Sequence, residues 1–278
     1  MARTLLILGG ALCLMLELGF AQSFAPRSAD YMFAATASDA RAIWVNPAGL
    51  AVVPEASLFG EFVLQRPIDQ DTRLSQLSFG FNSQGLSFGY NRERLFNDSS
   101  IHTYRLALAR ALRLWTLGVA VSHFRSGNND TGFDIGIRYS LLPSIQFGAV
   151  LRNIGQPEVR NDTLPLTGVA SLSWTLLPDF LVVKGEAMAQ NRIAETGYDM
   201  AYRAGAEVSL GRALPVSAFT AVNVDSDFGV TMWWLGASLG GARRGVFVAG
   251  VTPSDPATRV ETVSAAGLAT NPLTAWRH

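Results

Sequence analysis

Few residue groupings in this sequence could carry chemistry, and each stops short of a site. Gly236-Ala237-Ser238-Leu239-Gly240 has the spacing of a nucleophile elbow. That motif needs a serine on a sharp turn between a strand and a helix. Here the pattern runs into Gly241-Ala242-Arg243-Arg244 with no helical stretch behind it, so the spacing reads as chance. The histidines are His102, His123 and His278. His123 follows Ser122, but neighbours on a strand point to opposite faces and cannot pair as base and nucleophile. Asp225 and Asp227 share one segment without a third ligand at calcium spacing. The single cysteine, Cys13, sits in an apolar leader. No catalytic residue, no metal ligand set and no cofactor motif is expected, and the chain is expected not to be an enzyme.

A second group of residues has chemistry of another kind. Glu61, Arg105, Asp134, Arg138, Arg152, Lys184, Glu186, Arg203 and Glu207 each interrupt an otherwise apolar or small stretch. Charged residues are only 16% of the chain and the mean hydropathy is +0.21. Soluble domains carry about 25% charged residues. The formal net charge is zero, which gives no electrostatic case for nucleic acid. The sparse charges must therefore be explained by the elements that hold them.

Those elements alternate. Phe133, Ile135, Ile137, Tyr139 and Leu141 fall on one side of residues 133–141, with Asp134, Gly136, Arg138 and Ser140 on the other. Residues 202–210 and 115–122 repeat the pattern. A period of two means strands with one apolar face and one polar or small face. Loops add a longer period. Asn97-Asp98-Ser99, Asn129-Asp130-Thr131 and Asn161-Asp162-Thr163 recur at a spacing of 32 residues, with tight turns such as Asn82 to Gly85 and Leu142-Pro143-Ser144 halfway between. Long loops alternating with short turns describe a barrel with two unlike rims.

Strands are predicted near 56–66, 74–82, 85–94, 102–112, 114–125, 132–142, 144–154, 166–176, 180–190, 200–210, 214–224, 227–239, 244–253 and 259–270. The expectation is an all-β fold: a transmembrane antiparallel β-barrel of about 14 strands with a short N-terminal lumen plug. A soluble β-sandwich or propeller would also alternate. It would not leave an apolar outer face in nearly every strand, nor place aromatics near strand ends. Trp115, Tyr139, Phe147, Trp174 and Phe180 are expected to form one interfacial belt, and Tyr90, Phe124, Phe133 and Phe228 the other. A charge facing lipid at mid-depth costs about 2–4 kcal/mol, so the nine charged residues are expected to face the lumen as ion pairs and plug contacts.

The N-terminal region divides in two. Residues 1–21 read as a signal peptide, with Arg3, an apolar run from Leu5 to Leu16, and small residues before a cut after Ala21. Residues 22–55 do not alternate; Ala34 to Ala42 is Ala-rich and expected to form a short helix, and Asn46-Pro47-Ala48-Gly49-Leu50 is a turn signal. Irregular backbone cannot face hydrocarbon, so this segment is expected as a plug inside the barrel of residues 56–278. An even strand count puts both termini in the periplasm.

The stretch Ser38-Asp39-Ala40-Arg41-Ala42-Ile43-Trp44-Val45-Asn46-Pro47-Ala48-Gly49-Leu50-Ala51 resembles the N-terminal signature of the FadL superfamily and its PorV/PorQ relatives. Gly148-Ala149-Val150-Leu151-Arg152-Asn153-Ile154-Gly155, with Leu164-Pro165-Leu166-Thr167-Gly168-Val169 after it, is similar to a mid-barrel segment of PorV/PorQ-type proteins. With the strand pattern, the resemblance covers nearly the whole chain after the leader. It departs in length, in external loops of only about eight residues, and in the ending Trp276-Arg277-His278. The resemblance implies a bacterial outer-membrane protein acting as a secretion or surface-attachment partner (type IX secretion). The second expectation is a FadL-like passive channel for hydrophobic small molecules, and the third a purely structural membrane protein. Expected partners are outer-membrane lipid, then secretion-system or surface proteins, or hydrophobic small molecules. Asp39, Arg41, Trp44, Asn46, Pro47 and Gly49 are the expected gating or anchoring residues.

Overall fold

The computed structural model describes residues 25–66, 71–95, 99–127, 129–193, 196–210, 215–252 and 259–272. The expected signal peptide lies outside the described residues, as does the ending Trp276-Arg277-His278. Fourteen strands close into one antiparallel barrel. They are β1 Glu55–Gln65, β2 Arg73–Ser83, β3 Leu86–Arg94, β4 Ser100–Leu112, β5 Trp115–Arg125, β6 Asn129–Leu142 and β7 Ile145–Ile154, then β8 Thr167–Leu177, β9 Leu181–Asn191, β10 Tyr198–Ser209, β11 Val216–Val224, β12 Val230–Gly240, β13 Arg243–Thr252 and β14 Arg259–Pro272. Each strand pairs with its sequence neighbours, and β1 pairs with β14 to close the ring, leaving no free edge. The strand count and the position of every strand agree with the sequence reading. No helix among the described residues is long and apolar enough to cross a membrane.

The alternation is physical. Along β6, Phe133 and Ile135 are exposed on the outer wall while Gly132, Asp134, Gly136 and Arg138 are buried inside. Leu58, Phe62, Leu77, Phe79, Leu106, Leu108, Leu117, Val119, Leu172, Leu235 and Phe247 continue the exposed apolar wall around the ring. Water would make such a wall unstable, whereas hydrocarbon accepts it. Trp115 stacks on Tyr139 at 4.1 Å, and Trp174 and Phe180 are exposed near the same short-turn rim.

Phe124 corrects the expected belt. It is buried, because the even positions of β5 face inward, and it packs with Ile101, Val159 and Leu164. Its partners come in part from the loop that Asn161-Asp162-Thr163 marks, which is not irregular. Glu158–Val159 and Asp162–Thr163 form a small hairpin, turned by Arg160 and Asn161 at φ 56° and 71°. The hairpin folds over the long-loop rim. Its backbone N–H groups at Glu158 and Arg160 donate to Asp130 and to Ser126, and Val159 is fully buried.

Residues 25–54 are short turns of helix and irregular chain, with α1 at Ser28–Tyr31, α2 at Ala42–Val45, and a 3-10 turn at Pro47–Ala51. The helix expected over Ala34 to Ala42 does not form. The Asp39 carboxylate accepts from the backbone N–H of Arg41 (2.9 Å), and the N–H of Ala34 donates to Glu186 (2.8 Å). The Arg41 N–H is a donor that a helix would need, whereas the Ala34 N–H would be free at the start of one.

Ile135→Arg places a charge on the outer wall near mid-strand. It is expected to lower unfolding free energy in lipid vesicles by about 2–4 kcal/mol, read by denaturant titration; Ile135→Leu should be near neutral.

Candidate functional site: the lumen plug and the cavity beside it

The plug segment carries its own clasp. Arg41 donates from Nε to Asp39 Oδ1 (3.0 Å) and from Nη2 to Oδ2 (2.7 Å), a bidentate pair that closes the chain around Ala40. Burial alone would raise the Asp39 carboxyl; the charge and hydrogen bonds of Arg41 outweigh it and hold the carboxyl below the usual carboxylate range. Asn46 is fully buried and fully used. Its Nδ2 donates to the carbonyls of Ala34 (3.0 Å) and of Ile137 on β6 (3.1 Å), and its Oδ1 accepts from the Ala48 N–H (3.1 Å). One amide thus joins two parts of the plug to the wall and caps the 3-10 turn begun by Pro47.

The wall receives this backbone at glycines. A Cβ on Gly118 would overlap the Pro47 carbonyl, one on Gly136 the Asn46 side chain, and one on Gly148 the Ala34 carbonyl. A Cβ on Gly89 would stand 2.7 Å from the Trp44 ring. Gly49 itself lies against Ala37 and Ala42, where no side chain fits. The sequence reading placed Gly118 and Gly136 on the small face but assigned them no role. The available signal was glycine where a lumen polar residue would otherwise stand.

The nine charged wall residues all face inward, and most meet plug backbone. Arg138 donates to the Ala37 carbonyl (3.0 Å), Arg152 to Val45 (2.6 Å), and Arg203 to Ala29 and Met32 (3.1 and 3.0 Å). Glu61 accepts from the Ser28 N–H at 3.3 Å. Three ion pairs stand among them. Arg203 meets Glu186 at 2.6 Å, Lys184 meets Glu207 at 2.6 Å, and Arg105 reaches across β5 to Asp134. Arg105 lies over the Trp44 ring at 5.6 Å, and Lys184 and Arg203 lie near the ring of Phe33. Gln76 and Asn82 were not singled out by sequence. They hold the Arg27 N–H and the Ala25 and Leu50 carbonyls at 3.0, 2.8 and 2.9 Å.

On the long-loop side of the plug a cavity of about 370 Å³ remains. Trp44, Arg105, Asp134, Arg152 and Arg203 line it; Glu61, Arg138, Lys184, Glu186 and Glu207 do not. Its remaining lining mixes the apolar Phe124, Leu164, Met188, Val224, Met232 and Trp234 with polar side chains that include Arg27, Asp30, Asn153, Gln190 and Asn223. Leu164 belongs to the segment that carries the rim hairpin. Chemically the space offers apolar contact with a cationic base. Neither Ser238, bonded to Ser217 at 2.8 Å within the strands, nor His123, at 3.3 Å from Thr131 on the exposed face, contributes to it.

Two outcomes are expected. Gly136→Val should unseat the plug, read as faster amide exchange over residues 34–50 in a barrel that still shows heat-modifiable gel mobility. Acidification should loosen the clasp. A carboxyl with a lowered folded pKa stabilises above its unfolded value of about 3.9 and loses that contribution as pH falls through the folded value. Exchange near residues 37–42 should therefore rise below about pH 4, and Asp39→Asn should show the raised exchange already at neutral pH.

No family model and no curated protein matches the chain. Solved structures do resemble it. The CymD monoaromatic hydrocarbon channel superposes with a TM-score of 0.60 at 10% identity, covering 91% of this chain and 98% of that one. The toluene transporter TodX of Pseudomonas putida gives 0.57 at 11% identity, over 87% and 96%. A FadL homologue of Pseudomonas aeruginosa gives 0.50 at 9% identity, over 86% and 94%. None of these three is described as a PorV/PorQ-type protein. The chain therefore shares the closed barrel fold of FadL-type hydrocarbon channels.

Proposed function

We propose that the protein is a passive outer-membrane channel for small hydrophobic molecules. The observation that carries this reading is the cavity beside the plug. Its volume of about 370 Å³ falls in the range of small-molecule sites, about 300–1,000 Å³. Its apolar wall of Phe124, Leu164, Met188, Met232 and Trp234 suits an aromatic or short aliphatic body. The neighbours described as a hydrocarbon channel and a toluene transporter support this second expectation over the secretion-partner one. A bacterial outer-membrane location follows from the same reading. Short turns then face the periplasm, with both termini on that side. Residues 1–21 act as the export signal, 22–55 as the plug, and 56–278 as the barrel. Asp39, Arg41, Trp44, Asn46, Pro47 and Gly49 anchor the plug, and the inward charges hold its backbone.

The test is uptake by vesicles containing the purified protein, with toluene as the probe. Uptake above protein-free vesicles is expected, and Met188→Trp, which fills the cavity, should cut it about tenfold while barrel mobility on gels is kept. Uptake equal to that of empty vesicles would sink the proposal. Unchanged uptake in Met188→Trp would remove the cavity from the route.

A further inference from the structure

The outer wall is not uniformly filled. Where β1 runs between β2 and β14, near the short-turn rim, an open groove is lined by Ala56, Leu58, Phe81, Ser83, Arg243 and Ala269 among others. Leu58, Ala269 and Arg243 lie side by side across β1, β14 and β13. One step further from that rim, Gly60, Gly267 and Gly245 are also side by side, and all three face outward. A Cβ on Gly267 would meet nothing within 4 Å, so the floor is bare there, while the edge of the Phe247 ring lies over Gly245. The large side chains Phe79 and Leu239, register partners of Gly60 and Gly245, stand on either side. The inward glycines are different: plug backbone or a ring fills the space at Gly89, Gly118, Gly136 and Gly205.

Arg243 supplies the charge. Its guanidinium is exposed on the outward face, at the start of β13, and has no hydrogen bond or ion pair among the described residues. An arginine at this height reaches the headgroup layer, and its planar fork matches phosphate oxygens. From Ala269 to Ala265 the seam runs about 13 Å along the strand, close to the depth of one hydrocarbon leaflet, about 15 Å.

We propose that this seam binds one anionic glycerophospholipid. Its phosphate sits on Arg243, and one acyl chain lies in the trough over Ala269 and Gly267. The inference needs only the barrel in lipid; it stands whether or not the channel reading does.

Native mass spectrometry of the detergent-purified barrel tests it, with phosphatidylglycerol and phosphatidylcholine of the same chain length as probes. One retained phosphatidylglycerol is expected, preferred about fivefold, the contribution of a single interfacial arginine. Arg243→Ala should abolish the preference. Gly267→Phe, which fills the trough, should lower retention of both lipids. Arg113→Ala, an exposed arginine in the β4–β5 turn, should change neither. Equal retention of the two lipids by the unaltered protein would overturn the proposal. So would an Arg113→Ala loss equal to that of Arg243→Ala, or a Gly267→Phe variant that retains lipid normally.

Discussion

Everything inside this barrel answers to one constraint: the backbone of residues 25–54 must find hydrogen-bond partners in an enclosed lumen. Its helical pieces are too short to satisfy themselves. A ring of strands has already used its own N–H and C=O groups on its neighbours. Side chains of the inner wall are the remaining source. Arg138, Arg152 and Arg203 donate to plug carbonyls, while Glu61, Gln76 and Glu186 accept from plug N–H groups. The ion pairs are secondary to this work. Arg203 serves two carbonyls and Glu186 at once, so the acid steadies the arginine that holds the chain. Signs are mixed because carbonyls and N–H groups need opposite partners.

The same register that satisfies the plug also satisfies the lipid. A one-residue slip along β6 would turn Asp134 and Arg138 outward and Phe133 and Ile135 inward, failing on both faces together. Glycine adds a second condition. At Gly118, Gly136 and Gly148 the plug backbone lies against the wall itself, so these inward positions carry neither charge nor bulk. The inner face is therefore a mosaic of side chains that hold backbone and bare stretches that admit it.

The barrel was legible in the sequence because lipid enforces period two on every strand and loops break it at regular distances. The inward charges were legible for the same reason, since hydrocarbon excludes them. Their partners were not. Arg203 meets Ala29 across 174 residues and Arg138 meets Ala37 across 101, and contacts that distant leave no local pattern. The Ala-rich stretch misled because propensity cannot see Asp39 competing for the Arg41 backbone donor. Phe124 misled because an aromatic near a strand end suggests a belt, although the alternation of Thr116, Gly118, Ala120 and Ser122 already sets its position on the inner face. The rim hairpin is too short for any periodicity to register.

The cavity is what remains when a plug built this way fills a ring unevenly. Towards the short-turn rim the chain lies backbone to wall at Gly118, Gly136 and Gly148, while nearer the long-loop rim β4, β5 and β6 line the cavity with Thr103, Arg105, Ser122, Phe124 and Asp134. Towards β11 and β12 it makes contact through rings instead: Tyr31 stacks on Phe219 at 5.4 Å and approaches Trp234 at 6.2 Å. Rings do not tile the wall as closely as glycine-seated backbone, and the remainder opens on the long-loop side. Its base is made of the side chains that anchor the plug. Arg152 and Arg203 line the cavity while donating to Val45, Ala29 and Met32. Arg152 and Arg203 each keep an Nε–H with no partner among the described residues, as does the Trp234 indole N–H, so an occupant with an acceptor oxygen finds donors here that the plug does not use.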